Sequence, residues 1–343
     1  MLELIKDGDR IARKFEPSNI ISTPDRVRAF LNRRKNLIEI QNALNSFDSR
    51  KKTVLYHHMN SFVLPPSWLI TLSKEFNIHM VTSLVDLQEC SYPDFLGSKI
   101  AEQRTENYKV TLDLAKAIVT ASPFLVDDAN KFLQIPENKM FIAPLGWDHI
   151  PLIEKISKTN IDDLVDVSNP FYVYPAKAWR HKGHTELIES FSDSEVNGVL
   201  LLVGGLGKQR YALEKFIREK RQQKRIRVLG FQSDLMHYSL IAKATGMLFP
   251  SVYEGFGLPY VESAILRTPV IAFENQSVNS ILGKRAAFLF ESGDYGAMVR
   301  SLPSILNSTM RERVITNAFN QVVNLTWENT AKKTASMYRS IVE

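Results

Sequence analysis

Two doubly wound α/β domains facing a cleft are the fold that this chain predicts. Three observations lead there. Short apolar segments of strand length alternate with helix-length segments along most of the chain, the pattern of βαβ units and parallel sheets. A polar, acid-containing stretch from Lys158 to Asn169, read as a linker or a weak helix, divides that alternation into two halves. At 343 residues the chain can form two domains of ordinary size, each with its own core.

The elements follow in order. TVLYHH (53–58), HMVTSLV (79–85) and AIVTAS (117–122) read as short buried strands, with a helix-length segment over 98–116. A helix through Gln134 and a strand in MFIAPLG (140–146) complete the first half. After the polar stretch come FYVYPA, GVLLLVGG, IRVLG, GMLFPS, PVIAF and AAFLF, each followed by a loop and usually a helix. The predicted divisions are a first domain over 1–165, a second over 166–322 and a closing helix over 323–343.

No strand is read before Thr53, and residues 1–50 form a divergent helical start. Val27, Phe30, Leu31, Leu37, Ile38 and Leu44 fall at helical spacing among Arg26, Arg28, Arg33, Arg34 and Lys35. Such a basic amphipathic helix either lies on an anionic membrane or, more commonly, packs on its own domain. A second basic run over 208–227 has a buried side in Leu213, Phe216 and Ile217 and reads as a solvated helix face.

Composition narrows the function. Hydrophobic content of 44% with 23% charge is that of a soluble globular protein. No apolar run approaches the ~20 residues needed to span a bilayer. The start, MLELIKDGDRIARKF, lacks the basic-then-apolar layout of a signal peptide, so the cytoplasm, including the inner face of the membrane, is the expected location. The single cysteine, Cys90, excludes an internal disulfide and a cysteine-based zinc cluster. Formal net charge +6 suits an anionic substrate or membrane surface, while no nucleic-acid module pattern appears, and no nucleic-acid partner is predicted. Neither a Gly-x-Ser-x-Gly elbow nor H-E-x-x-H occurs. GGLGKQR lacks the G-x-G-x-x-G spacing of a dinucleotide loop. Asp7-Gly8-Asp9 matches a D-x-D metal motif, but nothing strand-like precedes it and a terminal turn is the plainer reading. No metal site is predicted.

The chemistry concentrates in the second half, above all in TGMLFPSVYEGFGLPYVE (245–262). An apolar run from Gly246 to Phe249 ends at Pro250 and opens into a glycine-containing loop that carries Glu254. Pro259 suits the first position of a following helix, because its missing N–H costs nothing there. Glu262 is then placed near the helix N-terminus, where a carboxylate is electrostatically favoured. A strand, a glycine-bearing turn and a helix N-terminus make an anion- and hydroxyl-binding corner. Two carboxylates there would repel phosphate alone, so the ligand must also offer hydroxyls, as a nucleotide sugar does. Lys177 and Lys182, in YPAKAWRHKGH after a predicted strand, suit a departing diphosphate whose charge grows as a glycosidic bond breaks. The main-chain N–H groups of Phe256, Gly257 and Leu258 are placed to face a phosphate or sugar oxygen.

YEGFGLPYVES (253–263) resembles the E-x7-E signature of retaining glycosyltransferases of family 4, which have the GT-B fold of two Rossmann-like domains. YPAKAWRHKGH resembles that family's diphosphate-binding loop, with Lys177 where arginine is usual and Lys182 at the usual lysine. LLLVGGLG, RVLGFQSDLMHYSLIAKA and LTWENTAKKTASMY are similar to its following strand, nucleotide-side loop and closing helix. VDLQECSYPDF, IVTASPFLVDDA and IAPLGWD are weaker echoes of its acceptor domain. The resemblance covers 53–340 and is strongest over 171–275.

It implies an acceptor-side first domain and a donor-binding second domain. Glu254 would contact the donor sugar, Glu262 the ribose, and Lys177 with Lys182 the diphosphate. Gly255 to Leu258 would hold the sugar and phosphate, and Gly230 with Phe231 would border the base. Asp86 is an acceptor-side expectation, although Val85 stands where a histidine is common and His57 or His58 would have to compensate. The implied reaction moves a hexose, mannose first among the guesses, from a nucleoside diphosphate (GDP or UDP) to a glycan or lipid-linked acceptor hydroxyl. Configuration is retained, and neither cofactor nor metal is required. One departure stands out: Gly8 is the only glycine before Gly97, so the family's first glycine-rich loop is missing. Either the first domain is shortened and rebuilt, or another element does that loop's work. The alternative reading is a non-catalytic partner that binds nucleotide and supports another glycosyltransferase.

Overall fold

The computed structural model describes residues 2–6, 9–13, 53–65, 67–73, 75–147, 150–306 and 309–342. The basic amphipathic pattern over 26–44, and Asp7 with Gly8, lie outside them. The chain divides into two compact units. The first comprises 1–121, 125–143 and 331–343; the second comprises 122–124 and 144–330.

In the first unit β1 (Leu2–Lys6), β2 (Asp9–Arg13), β3 (Val54–His58), β4 (Ile78–Leu84), β5 (Ala117–Thr120) and β6 (Met140–Ile142) form one sheet in the order β2-β1-β3-β4-β5-β6. β3 to β6 are parallel, as their apolar runs and intervening helices require. The expectation of no strand before Thr53 is overturned, because β1 and β2 pair antiparallel with each other and β1 adds antiparallel to β3. Lys6 and Asp9 are the pair at one end of the β1–β2 ladder. The helix Ser98–Leu114 buries Ala101, Tyr108, Thr111 and Leu112. Its Tyr108 and Leu112 share a core with Val54, Met80, Leu84 and Ile118. Residues from Ala331 onward, in the helix Trp327–Val342, close this unit by packing Met337 among Val81, Ala117, Val119 and Ala143.

The second unit holds β7 (Phe171–Pro175), β8 (Val199–Val203), β9 (Ile226–Gly230), β10 (Gly246–Phe249), β11 (Val270–Phe273) and β12 (Phe288–Phe290). All are parallel, in the order β12-β11-β10-β7-β8-β9. Counted within the unit, this is the doubly wound order 3-2-1-4-5-6 read from the other edge. β7, β10 and β11 are buried at every residue, which is why they read as unbroken apolar runs. In the basic run, the helix Gln209–Glu219 buries Leu213 and Ile217 beneath a solvated face, while Phe216, expected on the same buried side, is only half-buried.

The division between units falls at Ala143/Pro144, not after residue 165. The polar stretch after Lys158 forms no regular element, yet Ile161 and Val165 are each 1% exposed. Arg227 also donates to the Leu164 carbonyl at 2.7 Å. These two apolar anchors fasten the stretch to the second unit, so it does not act as a linker. The closing helix is likewise divided: 323–330 belong to the second unit and 331–343 to the first.

Candidate active site

In a parallel sheet all carboxyl ends share one edge, and loops part where the strand order reverses. Here the chain winds outward through β8 and β9, then returns to place β10 on the other side of β7. The reversal lies between β7 and β10, the position where doubly wound sheets bind ligands. The two segments that leave it are Ala176–Gly183 and Pro250–Gly257.

The first segment closes in a 3-10 turn, Arg180–Lys182, followed by Gly183 at φ 64° and ψ 39° at the start of the helix His184–Ser192. Tyr174, fully buried in β7, donates its hydroxyl to the Lys182 carbonyl. The Lys182 ammonium forms an ion pair with Glu254, the two side chains being only 12% and 14% exposed. It also stands 5.2 Å from the Phe249 ring centroid, a cation–π contact at the end of β10. Burial first, and then the Glu254 charge, hold the Tyr174 and Tyr260 phenols well above their ordinary range. Burial and the Lys182 charge push His181 down to about 3. His184 is pushed down to about 4, chiefly by burial, with the Lys182 charge adding to it. Lys182 and Glu254 therefore face each other among neutral neighbours.

The Glu254 loop is fastened through its carbonyl oxygens. Ser251 Oγ donates to the Tyr253 carbonyl at 2.9 Å, Ser122 Oγ to that of Gly255 at 2.9 Å, and Ser277 Oγ to that of Phe256. Asn275 Nδ2 reaches the Ser251 carbonyl at 3.0 Å and the Tyr260 hydroxyl at 3.2 Å, while Asn275 Oδ1 caps the helix Gln276–Ile281. Gly257, at φ 94°, opens the helix Leu258–Ile265, and a Cβ there would lie 2.4 Å from the Tyr260 ring. Among the described residues, no hydrogen bond occupies the main-chain N–H of Phe256 or Gly257. Pro259 is the second helical residue, one place later than expected, and Glu262 is the fifth, beyond the first turn. Glu262 instead meets His237 of the helix Asp234–Lys243, with Oε2 and Nε2 3.2 Å apart. Tyr238, whose ring stands edge-on to both His237 and Trp147, backs this pair.

Residues 158–321 match the family model of glycosyl transferases group 1. The chain is 23% identical over 325 residues to the O-antigen chain mannosyltransferase B of Escherichia coli, covering 93% of this chain and 84% of that one. It is 21% identical to the O-antigen chain mannosyltransferase RfbU of Salmonella typhimurium over 60% of this chain and 54% of that one. Among solved structures, sucrose-phosphate synthase from Thermosynechococcus elongatus superposes with TM-score 0.73 at 20% identity, covering 99% of this chain and 85% of that one. Anabaena Alr3699/HepE in complex with UDP superposes with TM-score 0.70 at 17% identity, covering 89% and 82%. The fold is GT-B. The matched domain lies within the second unit, and that match, with the glycosyltransferase names among the relatives, supports a transferase.

That domain contains β7 to β12, hence Lys177, Lys182, Gly230, Phe231, Glu254, Gly255, Phe256, Gly257, Leu258 and Glu262. Of these, Lys182 and Glu254 touch. Lys177 is exposed and forms no ion pair among the described residues. Gly230, at φ 73°, ends β9 and accepts from the Gly204 N–H at 2.8 Å, leaving Phe231 82% exposed. Asp86 lies in the first unit, outside the matched residues, just past β4. In that unit His57 bonds the Tyr338 hydroxyl and, at 2.8 Å, Ser83, while His58 bonds the Val63 carbonyl at 2.8 Å. Both histidines are thus tied into the domain. Sequence reasoning missed Ser122, His237, Asn275 and Ser277. Asn275 carries an N-cap signal that was available; the other three meet the site only through the fold. Among the described residues, no group of three His, Cys, Asp or Glu side chains gathers as a metal site. No helix among them is long and apolar enough to cross a membrane.

Proposed function

We propose that this chain is a retaining hexosyltransferase of the E-x7-E type, using a nucleoside-diphosphate sugar as donor and a glycan or lipid-linked hydroxyl as acceptor. The observation that carries the reading is the meeting of Lys182 with Glu254 where β7 and β10 part. A cation suited to a diphosphate and a carboxylate suited to sugar hydroxyls stand one contact apart, as the adjoining diphosphate and sugar of such a donor require. Lys182, with Lys177 on the same segment, offsets the charge of the departing diphosphate, so no metal or cofactor is called for. Glu254 accepts from the sugar hydroxyls and Glu262 from the ribose diol. Gly255 to Leu258 hold the sugar and phosphate through the main chain, and Gly230 with Phe231 border the base. Asp86 serves the acceptor side.

In the proposed reaction the bond from the anomeric carbon to the diphosphate oxygen breaks and its electron pair leaves with the diphosphate. The acceptor oxygen bonds that carbon on the same face and its proton passes to the leaving phosphate. Mannose is the first donor sugar to try, since two relatives are named O-antigen mannosyltransferases. UDP-glucose follows, because the HepE structure was also solved with it. O-antigen and capsular polysaccharide names among the relatives favour glycan assembly at the cytoplasmic face of a membrane.

Transfer from a panel of GDP- and UDP-hexoses tests the reading. Glu254→Ala is expected to abolish transfer with the fold intact. Lys182→Ala is expected to weaken nucleoside-diphosphate binding by ~1–3 kcal/mol, the scale of a charge-assisted hydrogen bond. Normal nucleotide binding by Lys182→Ala would remove the diphosphate assignment.

A further inference from the structure

We propose that Glu254 competes with the diphosphate for Lys182, so that the site discriminates against a nucleoside diphosphate that carries no sugar. This deepens the function proposed above and rests on its assignment of Lys182. The pair is nearly dry, at 12% and 14% side-chain exposure, and Lys182 is the ion-pair partner of Glu254 among the described residues. The Tyr174 and Tyr260 phenols also feel the Glu254 charge, and both are uncharged. Neither can replace the ammonium as counter-charge. A diphosphate takes Lys182 only by drawing it from Glu254, which leaves a carboxylate in a largely water-free place without its cation. Such a group costs far more than the intact pair gains.

A nucleotide sugar meets both needs at once. Its diphosphate receives the ammonium while its sugar hydroxyls donate to the carboxylate. Once transfer has removed the sugar, those donors are gone and Glu254 reclaims Lys182. The same pair thereby opposes product retention. Glu254 thus has a second duty besides contacting sugar, and the two duties predict opposite signs in binding experiments. Losing the sugar contact weakens the donor, whereas freeing Lys182 tightens the bare nucleotide.

Isothermal titration of the full chain with UDP and with GDP tests this. For whichever nucleotide the unmodified chain binds better, Glu254→Gln is expected to bind about tenfold tighter, ~1.4 kcal/mol at 25 °C. Glu254→Ala, read beside it, should move in the same direction, so a folding failure of one variant leaves the other. On a Lys182→Ala background, Glu254→Gln should change affinity less than about twofold, because there is no ammonium left to release. Equal tightening on both backgrounds would mean plain repulsion of the anion by a carboxylate and would overturn the competition. Unchanged or weaker binding by both Glu254 variants, with Lys182→Ala still weak, would overturn it too while leaving the diphosphate assignment standing. Full-strength binding by Lys182→Ala would remove that assignment instead.

Discussion

Replacing Gly183 with alanine tests how the lysine segment is held. Gly183 sits at φ 64° and ψ 39°, and a Cβ there would lie 1.9 Å from the Tyr295 hydroxyl oxygen, 2.7 Å from Cζ and 2.9 Å from Cε1. Two costs follow. The left-handed conformation costs an L-residue about 1–2 kcal/mol. Tyr295 must also move, and its ring stands edge-on to Phe273 at 4.8 Å, so displacing it disturbs packed neighbours. Overpacking of this kind costs about 1–3 kcal/mol. The sum is about 2–5 kcal/mol. Gly283 supplies the control, with φ 74° and nothing within 4 Å of an added Cβ. Gly283→Ala should show only the conformational part, about 1–2 kcal/mol. Urea unfolding with unchanged slope measures both. On a Tyr295→Phe background the Gly183→Ala penalty should shrink without vanishing, since Cζ still lies 2.7 Å away. Equal costs at Gly183 and Gly283 would refute the steric argument, and a cost below about 0.5 kcal/mol at Gly183 would refute both parts.

Acid should destabilise the protein. Burial holds His57 and His184 at about 4 and His181 at about 3, against 6.5 for a free side chain. Unfolding lets them take up protons below 6.5 that the folded state refuses, so stability is full above that pH and falls as pH drops toward 4. Each group can contribute up to about 1.4 kcal/mol per pH unit within that window; urea midpoints that stay flat from pH 7.5 to 5 would contradict it. Asn275→Ala should cost about 1–2 kcal/mol, because it removes a helix cap and the bonds to Ser251 and Tyr260. Asn275→Asp keeps the cap but loses the donor, so it should recover part of the stability while transfer stays impaired. Equal transfer by Asn275→Asp and the unmodified chain would show that the loop needs no such tether.

The ten strands from β3 to β12 were legible because each carries a short apolar run of strand length and most are separated by helix-length segments, whatever their depth of burial. In β7 the run FYVYP is buried at every position. β1 and β2 were not, since they are five-residue hairpin strands carrying Glu3, Lys6, Asp9, Arg10 and Arg13, with Asp7-Gly8 as their only signal. The unit boundary was misplaced because polarity along Lys158–Asn169 hid two anchors, Ile161 and Val165. Lys182 and Glu254 could be picked out separately by their positions after predicted strands. Their contact could not, because it depends on β10 returning beside β7 after 70 residues of intervening chain (175 to 246). His237 stayed hidden for the same reason: its partner Glu262 lies 25 residues on, and no local pattern links them.

The carbonyl tethers of the Glu254 loop have a further consequence. The oxygens of Ser251, Tyr253, Gly255, Phe256 and Gly257 are already engaged by Asn275, Ser251, Ser122, Ser277 and the Tyr260 amide. The main-chain N–H groups of Phe256 and Gly257 remain open beside them, an electropositive spot assembled without any formal charge. Peptide amides neither gain nor lose protons across the physiological range, so an oxyanion seated on that spot would feel the same pull in mild acid as in mild alkali. Any titration seen in ligand affinity must then originate in side chains or in the ligand's own phosphate, and replacing Phe256 or Leu258 with another residue of similar bulk would leave the backbone's polarity there as it is.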